Sequence, residues 1–592
     1  MNENQNNNNT HNTEEANNSA NMYSYNDGNE INNNQPQKEP DAIRRSLGEI
    51  NPYGMEPNNN NEEYDQNANN RSKPNTADHP NYEDKSSEER LPNIKESYSP
   101  FNVSPPLYQQ EQSHVYRPPP REPKKFYFIL GFFILILQII FILGIGFSYE
   151  YKYHNGSWEN ENDDQDFYFY FQFFKDVILM IFIGFGLLYT SLKDHQWSSV
   201  GNVLLIGVFS FEVTFIWNHL WWNAFNKRID DETQVELKPG WSKLDLNYDK
   251  LITIAQTSAT ALISLGAIIG KFSLIHYLLI AFFETLFASF NYYLCYDQLN
   301  AIDNGGSLYI HTFGAIFGVS VSIVNFCSSQ QHSKISSSPH LSSNYYSNII
   351  SFIGSIFLWL YFPSFNVANI QCNDDKEYKH NINKNISEIL RYRGIVNTYL
   401  SMIGSAIATF VVSPLISKGK LKMEHLLNAS YVGGIIIGGC CTICSMGWGA
   451  ILIGSIGGAI SVLFLGLLKK ILKEKKFEDT FGILGTFCIP GILGGFLNSI
   501  FMGNFNNMRW GGNSINRYFD VGNRKPSEQA GIQIAAIFIT LGIASVTGIC
   551  IGFLARIMNC DKNEIYFVDS EYFYEDEKIV LPEWKYPRIN PS

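Results

Sequence analysis

The chain has 592 residues and a formal net charge of −12, and its mean hydropathy of −0.12 would suit a soluble protein. Most of the acidic residues lie in the tail and the loops, so the charge indicates no particular partner, and no nucleic-acid partner is expected. The sequence contains no Walker loop, no dinucleotide-binding fingerprint and no HExxH motif, which leaves an enzymatic function with little support.

The first 124 residues are rich in Asn, Glu, Ser and Pro, with runs such as Asn6–Asn9. Because they hold almost no apolar cluster, they cannot offset the entropy that is lost on ordering. Residues 1–124 are therefore predicted to be a disordered, Asn-rich cytoplasmic tail. The tail ends in a stiff, basic, proline-rich lead-in at Arg117–Lys125.

The sequence changes character at Phe126–Phe147, an uncharged stretch long enough to span a hydrocarbon core of about 30 Å. About twelve such segments occur before residue 560, so residues 125–560 are predicted to form an all-α membrane domain. The predicted segments start near Phe126, Val177, Val200, Leu251, Phe272, Leu308, Ile349, Val396, Leu426, Ala450, Ile483 and Ile532.

An even number of spans puts both termini on one side, which is predicted to be the cytoplasm, with residues 561–592 as a short C-terminal tail. The basic stretches Ser417–Lys422 and Lys469–Lys476 fall on the predicted inner side and support this topology weakly. The sequon at Asn155 falls in the first outer loop and is a predicted glycosylation site. A second sequon, at Asn385, falls in another predicted outer loop.

Two apolar stretches resemble each other. Asp303 is followed by Gly306 at the third position and His311 at the eighth, and Asp479 is followed in the same way by Gly482 and Phe487. The two stretches lie five predicted spans apart, and an odd separation inverts the second copy in the membrane. Such inverted repeats of five helices are typical of transporters whose site lies between the two halves at mid-membrane.

Ionisable side chains inside spans are costly when they face lipid, so they usually face a pathway or a partner. The candidates are Asp176, Glu212, His219, Glu284, Asp303 and His311. Those near predicted helix ends can equally be caps or interface anchors, and Glu284 is predicted to bridge helices. His311 lies inside an otherwise apolar span at a repeated position, which favours a pathway over a core role.

The nine cysteines lie mostly in predicted helices. The stretch Cys440–Cys444 contains a CxxC pair, but no histidine or second pair accompanies it, so no metal site and no cofactor are expected. Small side chains there are better explained by close approach of membrane helices.

These segments resemble the Rh (Rhesus) glycoproteins of the ammonium transporter superfamily, from about Phe126 to Glu575. The resemblance is carried by MIFIGFGLL, WSSVGNVLL, DNGGSLYIHTFGAIFG, FLWLYFPSFNVA, GKLKMEHLLNAS, GAILIGSIGG and DTFGILGTFCIPGILGG, in this order along the chain. It implies the ammonium transporter fold of eleven helices, with one extra helix at the N terminus. It also implies a homotrimer, or a trimer with related Rh chains, with a pore through each subunit.

The resemblance also assigns residues to the pore. The first pore histidine of the family corresponds to His311 and the pore-shaping, ammonium-recruiting acid to Asp303. One gating phenylalanine corresponds to Phe365, and the other gate falls on Trp221, with Trp222 as the alternative. The second pore histidine is absent, because Phe487 stands at its position.

The implied substrate is ammonia, recruited as ammonium, with carbon dioxide as an alternative and no cofactor. The missing histidine leaves a second interpretation open, in which the chain is a non-conducting structural or sensor subunit of an Rh-type trimer. The implied location is a lipid membrane, either the plasma membrane or an internal vacuolar membrane.

Overall fold

The computed structural model describes residues 124–150, 161–225, 228–229, 236–237, 242–326, 342–370, 380–475, 477, 479–505, 515, 518–519, 521, 524–558, 569 and 573. The predicted disordered tail and the sequon at Asn155 therefore lie outside the described residues. Within these ranges the structure is almost entirely helical.

The first half of the membrane domain consists of apolar helices, several of which are continued by wider π-helical turns. The α-helices are α1 (Lys124–Ser148), α2 (Glu161–Leu179), α3 (Phe185–Leu188), α4 (Gln196–Phe225), α5 (Tyr248–Ile268), α6 (Leu274–Tyr292) and α7 (Phe313–Phe326). The π-helical turns are Met180–Gly184, Tyr293–Gln298 and Ser307–Thr312, and a 3-10 turn follows α3 at Tyr189–Ser191.

The second half has the same character. Its α-helices are α8 (Tyr345–Val367), α9 (His380–Ile416), α10 (Met423–Ala429), α11 (Val432–Gly438), α12 (Gly447–Leu463), α13 (Lys469–Glu474), α14 (Ile489–Gly503) and α15 (Pro526–Met558). Two further π-helical turns, Phe464–Leu468 and Leu484–Cys488, join α12 to α13 and lead into α14.

Eleven helical stretches within the described residues are long and apolar enough to cross a membrane. The sequence predicts about twelve segments, and the difference lies at the segment predicted near Leu426. That segment forms two seven-residue helices, α10 and α11, which are interrupted at Ser430 and Tyr431. Both short helices are largely buried, so this broken element lies inside the bundle. There, neighbouring helices can provide hydrogen bonds to the backbone groups that the break leaves free.

Two helices begin well before their predicted starts. The helix α2 begins at Glu161 rather than near Val177, and α9 begins at His380 rather than near Val396. Both begin with polar turns, ENDDQD and HNINKN, which a search for apolar runs does not detect. Helical structure therefore extends beyond the apolar part of these spans.

Short strands link the ends of the helices at one face. Strand β1 (Tyr149–Glu150), directly after α1, pairs in parallel with β4 (Leu244–Asp245), shortly before α5. Strands β2 (Arg228–Ile229) and β3 (Glu236–Leu237) pair antiparallel within the connection from α4 to α5. We call this face, at which α1 ends, the outer face, and the face at which α1 begins the inner face.

Glycines allow the central helices to approach to backbone contact. A Cβ atom at Gly314 would lie 2.6 Å from the carbonyl oxygen of Thr260, and one at Gly318 would lie 2.5 Å from the Cα atom of Ser264. These contacts join α7 to α5, whose side chains are almost all buried. Small residues at helix contacts are the usual means of close packing in a membrane.

A segment beyond α15 contacts the inner end of α4. The carboxylate of Asp569 accepts hydrogen bonds from the backbone N–H groups of Trp197 (2.8 Å) and Ser198 (2.7 Å). These donors belong to the first turn of α4 and have no partner within the helix, so an acid there acts as a cap. The ring of Phe573 packs against Gly201 in the next turn.

Candidate functional site: an aromatic column around His311

Asp303 caps the helix that carries His311. Its carboxylate accepts three backbone hydrogen bonds, from Ser307 (2.9 Å), Leu308 (2.8 Å) and Tyr309 (3.1 Å). Gly306 supplies the left-handed backbone of the turn, with φ of +65°. Because both carboxylate oxygens are engaged by the backbone, Asp303 fixes where the π-helical turn Ser307–Thr312 begins.

Asp479 does the same at the second copy of the motif. Its carboxylate accepts backbone hydrogen bonds from Gly482 (3.0 Å), Ile483 (2.9 Å) and Leu484 (2.9 Å), and Gly482 has φ of +81°. A π-helical turn, Leu484–Cys488, follows here as well. The Asp-x-x-Gly motif therefore forms the same helix cap at both of its occurrences in the sequence.

The second copy begins at the inner face. The N–H of Phe481 donates to the carbonyl of Gly266 (3.1 Å), and the hydroxyl of Thr480 donates to that of Ala267 (3.1 Å), both at the inner end of α5. The first copy begins before α7, which runs from the outer face inward. The two capped helices therefore enter the bundle from opposite faces, as an inverted repeat requires.

The two caps bring His311 and Phe487 together. Their ring centroids are 5.7 Å apart, with an angle of 28° between the ring planes. His311 also lies 5.7 Å from the rings of Phe362 and Phe365, both on α8. The imidazole, which belongs to the first half of the domain, therefore contacts three phenyl rings that all come from the second half.

The ring contacts continue toward the inner face. Phe487 stacks on Phe185 at 6.0 Å, and Phe185 lies 5.9 Å from Tyr189, whose ring meets Phe481 at 4.8 Å. Tyr431 contacts both Phe362 and Phe487 at 6.1 Å. We call this set the aromatic column; it consists of Phe365, Phe362, His311, Phe487, Tyr431, Phe185, Tyr189 and Phe481.

His311 is nearly inaccessible to solvent, with 1% of its surface exposed, and neither ring nitrogen has a hydrogen-bond partner. A neutral imidazole has one N–H donor and one acceptor nitrogen. Buried polar atoms are normally paired, because an unpaired one loses its hydration without compensation. The unpaired nitrogens of His311 thus leave one donor and one acceptor available to a small polar guest.

The column is closed in this conformation. The side chains around His311 are at most 1% exposed, and so are Phe185, Tyr189 and Tyr431 further along. A molecule the size of ammonia would have to displace rings as it passes. The column therefore combines a dry wall with very few polar atoms.

A polar group that the sequence analysis did not single out lies beside Phe365. The side chain of Gln256 on α5 donates to the carbonyl of Phe365 (2.7 Å). Asn369 donates to the side-chain oxygen of Gln256 and to the hydroxyl of Tyr309 (3.3 Å). This network holds the outer end of the column, and no local sequence pattern links its members.

Trp221, the other predicted gate, is not part of the aromatic column. Its ring stacks on Phe225 at 6.0 Å and contacts Phe290 at 4.8 Å, and its Nε1 donates to the carbonyl of Leu286 (3.1 Å). These contacts hold it against α6 at the outer end of α4, and its ring contacts within the described residues do not include Phe365. The neighbouring Trp222 has the Lys250 ammonium 5.1 Å from its ring centroid.

The remaining ionisable candidates bridge elements. Asp176 accepts from the Ser364 hydroxyl (2.7 Å), which joins α2 to α8, and Glu212 accepts from Gln138 (2.7 Å), which joins α4 to α1. Glu284 accepts from a serine of α5, as expected of a residue that bridges helices.

The fourth candidate, His219, lies near the outer end of α4. Its Nε2 lies 2.7 Å from the carbonyl oxygen of Ser242, in the connection to α5. Among the described residues, no group of three His, Cys, Asp or Glu side chains is arranged to hold a metal ion.

Comparisons with known proteins agree with this architecture. Residues 131–560 match the Ammonium Transporter Family. The ammonium transporter Rh type B of Takifugu rubripes is 32% identical over 406 residues, covering 68% of this chain and 81% of that protein. The ammonium transporter Rh type C of Rattus norvegicus is 30% identical over 424 residues, covering 69% of this chain and 78% of that protein.

A solved structure of Rh50 from Nitrosomonas europaea, of the Rhesus protein family of channels, is also similar. It is 27% identical, with a TM-score of 0.53, and the match covers 70% of this chain and 92% of that one. The match to the family extends from within α1 to just beyond α15 and includes both capped motifs. This chain belongs to the ammonium transporter family, as a multi-pass membrane protein that resembles the Rh-type members.

Proposed function

We propose that this chain conducts ammonia across a membrane as an Rh-type channel, taking up ammonium and passing the neutral gas. Membership of the family supports this, as do relatives named ammonium transporters of Rh types B and C. The observation that carries the proposal is His311, buried in a ring of aromatic side chains with both nitrogens unpartnered.

The chemistry of the column suits the neutral gas better than the cation. Removing water from a bare ammonium ion in an apolar passage costs on the order of tens of kcal/mol before compensation. Neutral ammonia avoids that cost and needs only a hydrogen-bond partner, which the His311 imidazole supplies. The proton is left behind before the column.

The other predicted residues take distinct roles in this proposal. Asp303 shapes the pore through its helix cap, and Phe365 closes the column on the outer side of His311. Trp221 contributes an aromatic face where ammonium collects by cation–π attraction, worth about 0.5–2 kcal/mol. Its contacts with α6 favour this recruiting role over a gate that closes against Phe365.

The phenyl ring of Phe487 favours two further candidates. A drier wall suits an apolar gas, so carbon dioxide is the alternative permeant. The tight closure of the column favours the second candidate function, a non-conducting structural or sensor subunit. We propose a homotrimer, or a trimer with related Rh chains, in the plasma membrane or an internal vacuolar membrane, with glycosylation at Asn155.

The test is ammonia flux into liposomes that contain the purified protein, followed by the change in internal pH. We expect flux above that of protein-free liposomes. In His311→Leu, which keeps the approximate side-chain volume but removes both nitrogens, flux should fall about tenfold. That factor corresponds to the loss of one hydrogen bond, worth about 1.4 kcal/mol.

The matched control is His276→Leu, the same substitution at a histidine on α6 whose ring contact is with Phe272 rather than with the column. Flux through this variant should equal that of the unaltered chain. If the unaltered chain passes neither ammonia nor carbon dioxide above the background of empty liposomes, the channel proposal is wrong and the non-conducting subunit is correct.

A further inference from the structure

Tyr431 lies at the break between α10 and α11, where its backbone leaves the helical region (φ −101°, ψ 1°). The side chain is fully buried. Its ring contacts Phe362 and Phe487, both at 6.1 Å, and His311 contacts the same two rings at 5.7 Å. Tyr431 and His311 therefore share two neighbours in the aromatic column.

The hydroxyl of Tyr431 has no hydrogen-bond partner although no solvent reaches it. Other buried tyrosines of the bundle are paired: Tyr189 donates to the carbonyl of Leu262 (2.8 Å), and Tyr277 donates to that of Ile268 (3.1 Å). A phenyl ring would fill the same space without an unpaired polar atom. An unpaired buried hydroxyl carries a cost in stability, and such exceptions occur where function uses the group.

Among the described residues of the aromatic column, His311 and Tyr431 are the side chains whose polar atoms lack a partner. Both contact the Phe362 and Phe487 rings. They come from the π-helical turn before α7 and from the α10–α11 break, two elements that are otherwise unrelated in sequence.

We propose that the Tyr431 hydroxyl is the second ammonia-binding group of the column, and that it supplies the polar contact which Phe487 does not. A hydroxyl donates to the ammonia nitrogen and accepts one of its N–H groups, so it covers both roles of an imidazole toward a neutral guest. The inference rests on the proposed function, since it concerns the same passage.

Ring contacts connect Tyr431 to the part of the column nearer the inner face. The Tyr431 ring contacts Phe487, which stacks on Phe185, and Phe185 in turn contacts Tyr189. An ammonia molecule that leaves His311 thus meets Tyr431 and then Tyr189, with phenyl rings as the remaining wall.

The decisive variant is Tyr431→Phe, which removes one oxygen and keeps the ring contacts. In the liposome assay, ammonia flux should fall about tenfold while the thermal midpoint in detergent stays the same or rises, because the lost hydroxyl had no partner. Carbon dioxide flux, which needs no donor from the protein, should not fall. If the hydroxyl served only the fold, the thermal midpoint of Tyr431→Phe would fall and its ammonia flux per folded protein would stay the same.

Tyr277→Phe is the matched control, because it removes a partnered hydroxyl outside the column. Its thermal midpoint should fall, and its flux per folded protein should equal that of the unaltered chain. The double variant Tyr431→Phe/Phe487→His should recover the ammonia flux, since the new imidazole restores a second polar group.

If the unaltered chain conducts ammonia and Tyr431→Phe conducts it equally well, the inference is overturned while the proposed function stands. A Tyr431→Phe variant that loses flux together with thermal stability, or is not rescued by Phe487→His, also overturns it. If ammonia flux through the unaltered chain does not exceed that into protein-free liposomes, the proposed function itself has failed. The flux of the unaltered chain alone shows this, before any variant is measured.

Discussion

Phe487 brings a phenyl ring to 5.7 Å from the His311 imidazole, with the two rings nearly parallel. The phenyl ring fills the space but neither donates nor accepts a hydrogen bond. Of these two facing rings, only that of His311 therefore carries polar atoms. In the proposed channel, the affinity of the column for ammonia depends on how many such atoms the ammonia molecule contacts in succession.

Phe487→His is expected to raise ammonia flux about threefold to tenfold, because it adds one hydrogen-bonding group worth about 0.5–1.5 kcal/mol. Liposome flux measures the effect. Phe487→Leu is the control that changes the shape of the wall without adding polarity, and it should not reproduce the increase in ammonia flux. Equal increases in both variants would mean that the ring acts only as a steric obstacle.

Among single residues, the sequence predicts the positions of those that follow a local sequence pattern. The shared eight-residue spacing places His311 and Phe487 at equivalent positions of two inverted copies, and it predicts that they meet, because a pseudo-two-fold axis brings equivalent positions together. Tyr431 and Gln256 follow no local rule. Their positions depend on a helix break and on packing between distant helices, and an apolar pattern treats Tyr431 as one more core residue.

Among the elements, glycine determines how closely α9, α11 and α12 pack. A Cβ atom at Gly454 on α12 would lie 1.7 Å from the carbonyl oxygen of Ser401 on α9, and one at Gly433 on α11 would lie 2.3 Å from the same oxygen. Three helices thus converge on one carbonyl group. Any side chain at these glycines must push the helices apart, because the obstructing atom is backbone.

Gly454→Ala is expected to destabilise the bundle by at least about 1–3 kcal/mol, the usual cost of overpacking an interior that cannot yield. The thermal midpoint of the protein in detergent measures it. Gly542→Ala on α15 is the matched control, since a Cβ atom there would meet nothing within 4 Å. That variant should be neutral or gain up to about 1 kcal/mol. Equal stability of both variants would contradict the close packing.

The helices also show how far their bounds can be predicted from the sequence. Long apolar runs predict the spans well, because their length is set by the membrane. The run near Leu426 gives no sign that it divides into α10 and α11, since both halves are apolar and the break is stabilised by neighbours. The polar first turns of α2 and α9 are missed because hydropathy does not distinguish a solvated helix from a loop.

In the whole molecule, α1 is part of the membrane domain rather than a separate anchor. Gln138 donates to Glu212 (2.7 Å), and the buried ring of Phe141 meets Phe209 at 5.5 Å, so one side of α1 packs on α4. Its other side exposes large apolar side chains, as expected where a helix faces lipid. At the opposite end of the chain, Asp569 joins the C-terminal segment to the inner end of α4.

The Asn-rich tail is expected to be dispensable for folding and assembly. A chain that begins at Arg117 should have the same thermal midpoint and the same oligomer mass in detergent as the full chain, because the removed residues offer almost no apolar surface to bury. Native mass spectrometry and thermal unfolding provide both measurements. Phe141→Ala in the shortened chain should lower the midpoint by several degrees, which shows that the assay detects damage to α1. Aggregation of the shortened chain, or a different oligomer, would show that the tail takes part in folding or assembly.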